Sequence, residues 1–194
     1  MNESNSTIII ALILLVGGSA FFSATETAFS SVNKIRLKNM ANDGDRRAKK
    51  ALDLAENYDK LLTTILVGNN LVNIMATALA TVLFTRIYHD LGATISTAVM
   101  TVVVLIFGEV TPKTMATIKA DAFALAIAGI IDVLMVVLTP VIFVINKLAS
   151  GVLWLFRVNP ADAETAMTEE EIRKRNEERR AKLDDVSRRN MEKC

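Results

Sequence analysis

The chain has 194 residues, 52% of them apolar, a formal net charge of +1 and one cysteine, Cys194. The single cysteine excludes a disulfide framework or a cysteine-based metal site within the chain. The apolar residues form blocks of membrane-spanning length, while the charges are concentrated at residues 33–60 and 157–193, and this pattern predicts an all-α membrane protein.

The first apolar block, residues 8–30, is long enough to cross a bilayer as a helix. The short segment before it has no Lys or Arg, so we do not expect a cleaved signal peptide. Because intramembrane acids usually face protein or water, a polar face in its second half predicts a functional role. The alternative is that its side chains only link packed helices. The residues that share this face are Ser19, Ser23, Glu26 and Ser30.

A basic connector at residues 33–58 predicts two short amphipathic juxtamembrane helices on the membrane surface. The run from Asn42 to Asp45 contains a glycine and predicts the turn between them. Lys and Arg exceed the acids in this connector, so we expect it on the cytoplasmic side and the N-terminus outside.

The second apolar block, residues 61–84, contains three asparagines within five residues: Asn69, Asn70 and Asn73. An amide in hydrocarbon is costly unless it is satisfied, and Asn69 and Asn73 share one helical face. Their amide oxygens could be neutral ligands for a hard cation. The alternative interpretation is hydrogen bonding between helices.

The third block, residues 91–112, ends in the sequence Gly108-Glu109-Val110-Thr111-Pro112-Lys113. Pro112 has no N–H, and its ring clashes with the carbonyl of Gly108 four residues earlier. A freed carbonyl beside the carboxylate of Glu109 predicts a site for a hard cation. The alternative is an ordinary kinked helix end, with Glu109 and Lys113 as a surface pair.

The last apolar block, residues 122–157, is too long for one ordinary crossing and is divided by Pro140. A re-entrant hairpin that turns near Pro140 would keep the basic tail inside, so we predict a hairpin there. Residues 1–160 then form the transmembrane domain, and residues 161–194 form a charged cytosolic helical tail. Thr168 and Glu171 predict a capping box in that tail.

Three motifs together give the chain a resemblance to the transmembrane domain of the CorC/CNNM (cyclin M) family, over about residues 1–171. They are residues 19–28 (SAFFSATETA), 66–73 (LVGNNLVN) and 108–113 (GEVTPK). The resemblance implies a homodimer with three membrane helices, a belt of juxtamembrane helices and an intramembrane magnesium site. It also implies that the glutamate motif lies in a π-type helical turn.

Family members continue into an acidic helical bundle and a paired CBS nucleotide-binding module. Residues 167–172 resemble the start of the bundle, but the CBS pair does not follow. We therefore expect the chain to be part of a longer protein and to bind no nucleotide itself.

The expected function is magnesium transport in the plasma membrane, with export driven by Na⁺ as the resemblance suggests. One carboxylate with several neutral oxygens suits a partly dehydrated Mg²⁺ that must also be released. Pro112 marks the hinge, and a second, monovalent site would use Ser23 with Asn70 and Glu26. The expected Mg²⁺ ligands are Ser19, Ser23, Asn69, Asn73, Gly108 and Glu109.

Two other classes compete with a transporter. The first is a non-transporting membrane anchor, or a dimerisation module that senses magnesium. The second is an intramembrane enzyme, which we do not expect because Ser19 and Ser23 lack a histidine or second base to activate them. The expected partners are a second copy of the chain and the lipid bilayer, and no nucleic acid.

Overall fold

The computed structural model describes residues 3–155, which are helical apart from short connections. Its elements, in chain order, are α1 (Glu3–Ser31), α2 (Lys34–Asn42), α3 (Arg46–Glu56), α4 (Tyr58–Tyr88), a 3₁₀ turn (His89–Leu91), α5 (Gly92–Val103), a π-helical turn (Val104–Val110), α6 (Thr111–Ile118) and α7 (Ala120–Leu155). The predicted all-α class is confirmed over these residues. The predicted tail, residues 161–194, lies outside them.

Three stretches of the described chain are long and apolar enough to cross a membrane. They are Asn5–Ser31, Tyr58–Ile118 and Ala120–Leu153. The second stretch folds back on itself at the 3₁₀ turn, so that α4 packs against α5. The chain is therefore a membrane protein, and helices cover the three segments in which spans were predicted.

The juxtamembrane segment forms two helices because polar side chains cap each of them. Asn33 Oδ1 accepts a hydrogen bond from the Arg36 N–H at 3.1 Å and begins α2. Asp45 Oδ1 accepts from the Arg47 N–H at 2.8 Å and begins α3. Between them Gly44 has φ +94°, a left-handed conformation that glycine adopts without steric cost. The predicted turn at Asn42–Asp45 is confirmed.

The largest buried apolar cluster joins the four N-terminal helices to the first half of α7. Lys50 Nζ lies 3.1 Å from Asp132 Oδ2, and this exposed ion pair links α3 to α7. Lys50 is thus the partner of Asp132. Exposed pairs add little stability, so burial of the apolar cluster holds these helices together. Its fully enclosed members include Phe29, Leu37, Leu61, Ile65 and Ile131.

The hairpin predicted at residues 122–157 is wrong. Residues Ala120–Leu155 form one α-helix, and Pro140 lies inside it. A proline removes one helical hydrogen bond, which a membrane helix tolerates when nearby hydroxyls satisfy backbone groups. The carbonyl that loses its partner at Pro140 is that of Val136, and the Thr139 hydroxyl donates to the neighbouring Met135 carbonyl at 2.6 Å. The prediction relied on loop charge, which biases the side of a loop but does not fix local backbone geometry.

The chain divides into two compact units, Met1–Ile142 and Phe143–Cys194. The described part of the second unit is the last portion of α7, where the Lys147 ammonium lies 5.5 Å from the centre of the Phe143 ring. All residues of the candidate site belong to the first unit.

The turn between α4 and α5 depends on a glycine for its close packing. Gly92 has φ −57°, a conformation open to any residue, so its role is steric. A Cβ at Gly92 would overlap the backbone of Thr85 and lie 2.7 Å from the carbonyl carbon of Phe84. Because these are backbone atoms, no rotamer change can relieve the overlap.

We expect Gly92→Ala to lower the free energy of unfolding by roughly 1–3 kcal/mol, the usual cost of overpacking. Thermal unfolding of the detergent-purified protein measures this loss of stability. The matched control is Gly129→Ala on α7, where an added Cβ meets no atom within 4 Å. That change should be neutral or stabilising by about 0.5–1 kcal/mol. Equal melting temperatures for the two variants would contradict the assigned role of Gly92.

Candidate functional site

The polar face predicted on α1 points into the protein over part of its length. Ser19 and Ser23 are 0% and 1% exposed, and Glu26, one turn further on, is half-buried. Ser30 is exposed, and its hydroxyl donates to the Thr27 carbonyl at 3.0 Å. The inner part of the face is therefore Ser19, Ser23 and Glu26.

Helix α4 places two of its asparagines against this face. Ser19 Oγ donates to Asn69 Oδ1 at 3.2 Å, and Asn73 Nδ2 donates to the same oxygen at 3.5 Å. The helices approach closely because Gly68 contacts the Phe22 ring, where a Cβ would overlap it. The structure thus brings Ser19, Asn69 and Asn73 together, whereas Asn70 is exposed on α4.

The π-helical turn brings the third motif to the same place. In this turn the Thr111 N–H donates to the carbonyl of Ile106, five residues earlier, which confirms the π-type geometry implied by the resemblance. Gly108 is buried and packs closely against Ser19. A Cβ at this position would lie only 2.8 Å from Ser19 Oγ. Pro112 occupies the first turn of α6, where its missing N–H is tolerated.

Two buried oxygens in this region have no hydrogen-bond partner among the described residues. They are Ser23 Oγ on α1 and Asn73 Oδ1 on α4. A buried polar atom without a partner costs roughly 1–3 kcal/mol, so native proteins rarely retain one without a reason. Both atoms have lone pairs that can coordinate a cation.

Glu109 follows Gly108 in the π turn and is half-buried. Its carboxylate forms no hydrogen bond or ion pair within residues 3–155. The alternative surface pair of Glu109 with Lys113 is absent from the structure, because Lys113 Nζ instead lies 3.2 Å from Glu26 Oε2. Glu109 is therefore an acid beside the site whose charge is not compensated by a neighbouring cation.

The Glu26–Lys113 ion pair joins α1 to α6 and was not predicted from the sequence. The two side chains are 31% and 42% exposed, so the pair is only partly screened by solvent. It neutralises Glu26, which follows Ser23 by one helical turn on the inward face. The lysine itself was visible in the sequence, because Lys113 ends the third motif. The motif did not show which acid this lysine pairs with.

A groove of about 280 Å³ between α4, α5 and the π turn reaches Asn73. Sequence reasoning missed its threonines on α5, although Thr97 and Thr101 are four residues apart and share a helical face. Each of these hydroxyls donates to a carbonyl four residues earlier and keeps lone pairs free. The groove is lined by Asn73, Thr77, Thr97, Met100, Thr101, Val104 and Leu105.

The donor set excludes a metal site built from several acids. No three His, Cys, Asp or Glu side chains come together anywhere in the part of the chain that the structure describes. Any cation held here would be bound by neutral hydroxyl, amide and carbonyl oxygens with a single carboxylate. Oxygen donors of this kind suit hard cations and not Zn²⁺ or copper.

A comparison with protein families places this arrangement in a known group. Residues 9–188 match the cyclin M transmembrane N-terminal domain. The chain belongs to the cyclin M family. The resemblance carried by the three motifs is thereby confirmed, and the match covers every residue of the candidate site.

Several proteins are similar to this cyclin M domain. A UPF0053 protein of Haemophilus influenzae is 37% identical over 168 residues, covering 87% of this chain and 40% of that protein. A UPF0053 inner membrane protein of Escherichia coli is 40% identical over 130 residues, covering 67% of this chain and 30% of that protein. A polyamine export protein of Haemophilus influenzae is 26% identical over 177 residues, covering 84% of this chain and 41% of that protein. The cyclin M domain described here thus spans less than half the length of each.

Proposed function

We propose that this chain is the membrane domain of a magnesium transporter and that Mg²⁺, its substrate, binds between α1, α4 and the π turn. The observation that carries the proposal is the pair of buried oxygens without partners, Ser23 Oγ on α1 and Asn73 Oδ1 on α4. Each lies one helical turn from the hydrogen bond between Ser19 and Asn69, and Gly108 packs against Ser19. Six oxygen ligands at near-octahedral angles are what Mg²⁺ requires. The proposed ligands are drawn from Ser19, Ser23, Asn69, Asn73, the Gly108 carbonyl and Glu109, and retained waters occupy the remaining positions.

The chemistry of these ligands favours transport over permanent binding. Mg²⁺ loses its bound water reluctantly, and a single carboxylate with neutral oxygens offsets only part of the free-energy cost of removing that water. The ion can therefore keep some of its water and leave again. The proposed hinge is the junction of the π turn with α6, from Gly108 to Pro112, because π turns inside helices often occur at functional sites.

We further propose that Na⁺ entry drives export of Mg²⁺ from the cell and that the chain acts as a homodimer in the plasma membrane. The N-terminus would lie outside, as the basic juxtamembrane helices favour. A monovalent site at Ser23 and Glu26 would require the Glu26–Lys113 pair to open. The exposed position of Asn70 argues against a direct role for it in that site.

The second candidate function is polyamine export, which is suggested by the similarity to the polyamine export protein of Haemophilus influenzae. A polyamine carries several ammonium groups, which need acceptors spread along a channel. The threonine-lined groove that ends at Asn73 offers a row of hydroxyl acceptors of that kind. The third candidate is the non-transporting, magnesium-sensing anchor, which an experiment must distinguish from the two transport functions.

Flux into liposomes separates these functions. The purified chain is reconstituted, an entrapped indicator reports Mg²⁺, and labelled spermidine is followed in a parallel assay. We expect Mg²⁺ flux that rises with an opposing Na⁺ gradient. Spermidine flux without Mg²⁺ flux would favour polyamine export, while Mg²⁺ binding without flux of either solute would favour the anchor.

The variant pair for this assay is Asn73→Ala and Asn39→Ala. Asn73 supplies a buried oxygen to the site, whereas Asn39 is exposed on α2. We expect the first change to reduce Mg²⁺ flux at least about tenfold, since the loss of even a hydrogen-bond partner of a metal ligand commonly costs about tenfold or more. The second should leave flux at the wild-type level.

A further inference from the structure

A cluster of cationic side chains in the first two turns of α3 lies beside a groove in the surface of α7. The groove has a volume of about 400 Å³. One wall is cationic and comes from α3, and the other is made of small or apolar residues from α7. The lining residues are Arg46, Arg47, Lys50, Leu125, Ala126, Ala128 and Gly129.

Two of the cations are available for a ligand. Arg46 and Arg47 are exposed, and neither guanidinium has an ion-pair partner within residues 3–155. Lys50 is paired with Asp132, and the carboxylate of Asp45 is occupied in capping α3. A guanidinium presents a planar fork of donors that matches the oxygens of a phosphate group.

The opposite wall continues into a surface that suits hydrocarbon. Beyond Gly129, the helix exposes Ile130, Val133 and Val137 at 55%, 62% and 61% of their surface. Val133 and Val137 follow Gly129 by four and eight positions and so lie on its side of α7, and Ile130 lies three positions before Val133. In a membrane protein, such an exposed apolar face contacts lipid chains, and here it begins at the cationic wall.

We propose that this groove binds one anionic phospholipid. The headgroup phosphate lies between Arg46 and Arg47, and an acyl chain follows Gly129, Ile130 and Val133 along α7. Basic juxtamembrane clusters attract anionic headgroups in this way. A free phosphate ion would meet the two arginines but would gain nothing from the apolar wall, so the combination selects a lipid. This proposal does not depend on the identity of the transported ion.

Lipid binding by the detergent-purified chain tests the proposal. Native mass spectrometry follows titration with phosphatidylglycerol and, separately, with zwitterionic phosphatidylcholine. We expect the chain to bind phosphatidylglycerol in preference to phosphatidylcholine. The double variant Arg46→Gln with Arg47→Gln should weaken phosphatidylglycerol binding about 25-fold, because each cation near a lipid surface contributes roughly fivefold. The matched control, Lys34→Gln with Lys38→Gln, removes two exposed cations from α2 and should change affinity by less than about twofold.

A second variant tests the apolar wall. Gly129→Leu fills the groove, and it should fold because a Cβ there meets no atom within 4 Å, which a thermal melt checks. We expect it to weaken phosphatidylglycerol binding while both arginines remain. Any of three results would overturn the proposal: equal binding of the two lipids, an equal loss in the α2 control, or unchanged binding by Gly129→Leu. Displacement of the lipid by inorganic phosphate would indicate a simple anion site instead.

Discussion

Glu109→Gln should abolish saturable Mg²⁺ binding while leaving the protein folded. The change keeps the size of the side chain and removes its charge. Unit charges about 4 Å apart attract by about 4 kcal/mol at an effective dielectric constant near 20. We therefore expect affinity to fall at least about 1,000-fold, since each 1.4 kcal/mol is roughly a factor of ten. Titration calorimetry on detergent-purified protein measures this directly.

The matched control for Glu109→Gln is Glu56→Gln, which removes an exposed acid from the end of α3. It changes the net charge equally, so it shows any effect of charge at a distance. We expect its Mg²⁺ titration to match that of the wild-type protein. Retained binding by Glu109→Gln would remove Glu109 from the site and would leave only neutral ligands.

Gly108→Ala should weaken Mg²⁺ binding through a steric effect rather than an electrostatic one. The new methyl group would lie 2.8 Å from Ser19 Oγ and would push this hydroxyl away from Asn69. The overlap should also cost roughly 1–3 kcal/mol of stability. Calorimetry and thermal unfolding, measured on the same preparation, give both quantities. The control is Gly17→Ala on α1, where an added Cβ meets nothing within 4 Å.

A double variant separates packing from ligand binding at this contact. Ser19→Ala removes the hydroxyl that meets the new methyl group, so combining it with Gly108→Ala should restore part of the lost stability. It should not restore Mg²⁺ binding, because the hydroxyl ligand is absent. Recovery of binding in the double variant would show that Ser19 only fills space.

Much of the candidate site could be predicted from helical spacing. Ser19 and Ser23 are four residues apart, as are Asn69 and Asn73, and this spacing put each pair on one helical face. The cost of polar side chains in hydrocarbon then required those faces to meet protein. In the structure Asn69 accepts hydrogen bonds from both Ser19 and Asn73, and Gly108 packs against Ser19.

Choices between equally plausible contacts could not be predicted in this way. Helical spacing offered Glu109 as a partner for Lys113, whereas the packing of α6 against α1 pairs Lys113 with Glu26. A proline inside an apolar run is compatible with a hairpin or with a continuous helix, so Pro140 alone did not decide the form of α7. These outcomes depend on tertiary packing, which the local pattern does not encode.

The Glu26–Lys113 pair has an electrical consequence for the proposed transport cycle. Because Lys113 neutralises Glu26, the ion site carries one net negative charge from Glu109 without Mg²⁺ and one net positive charge with it. A membrane potential acts on each elementary charge that crosses it with about 2.3 kcal/mol per 100 mV. Voltage would therefore act on the Mg²⁺-bound carrier as on one positive charge, making the reorientation step that carries Mg²⁺ electrogenic. With an unpaired Glu26, the Mg²⁺-bound form would instead move as a neutral species.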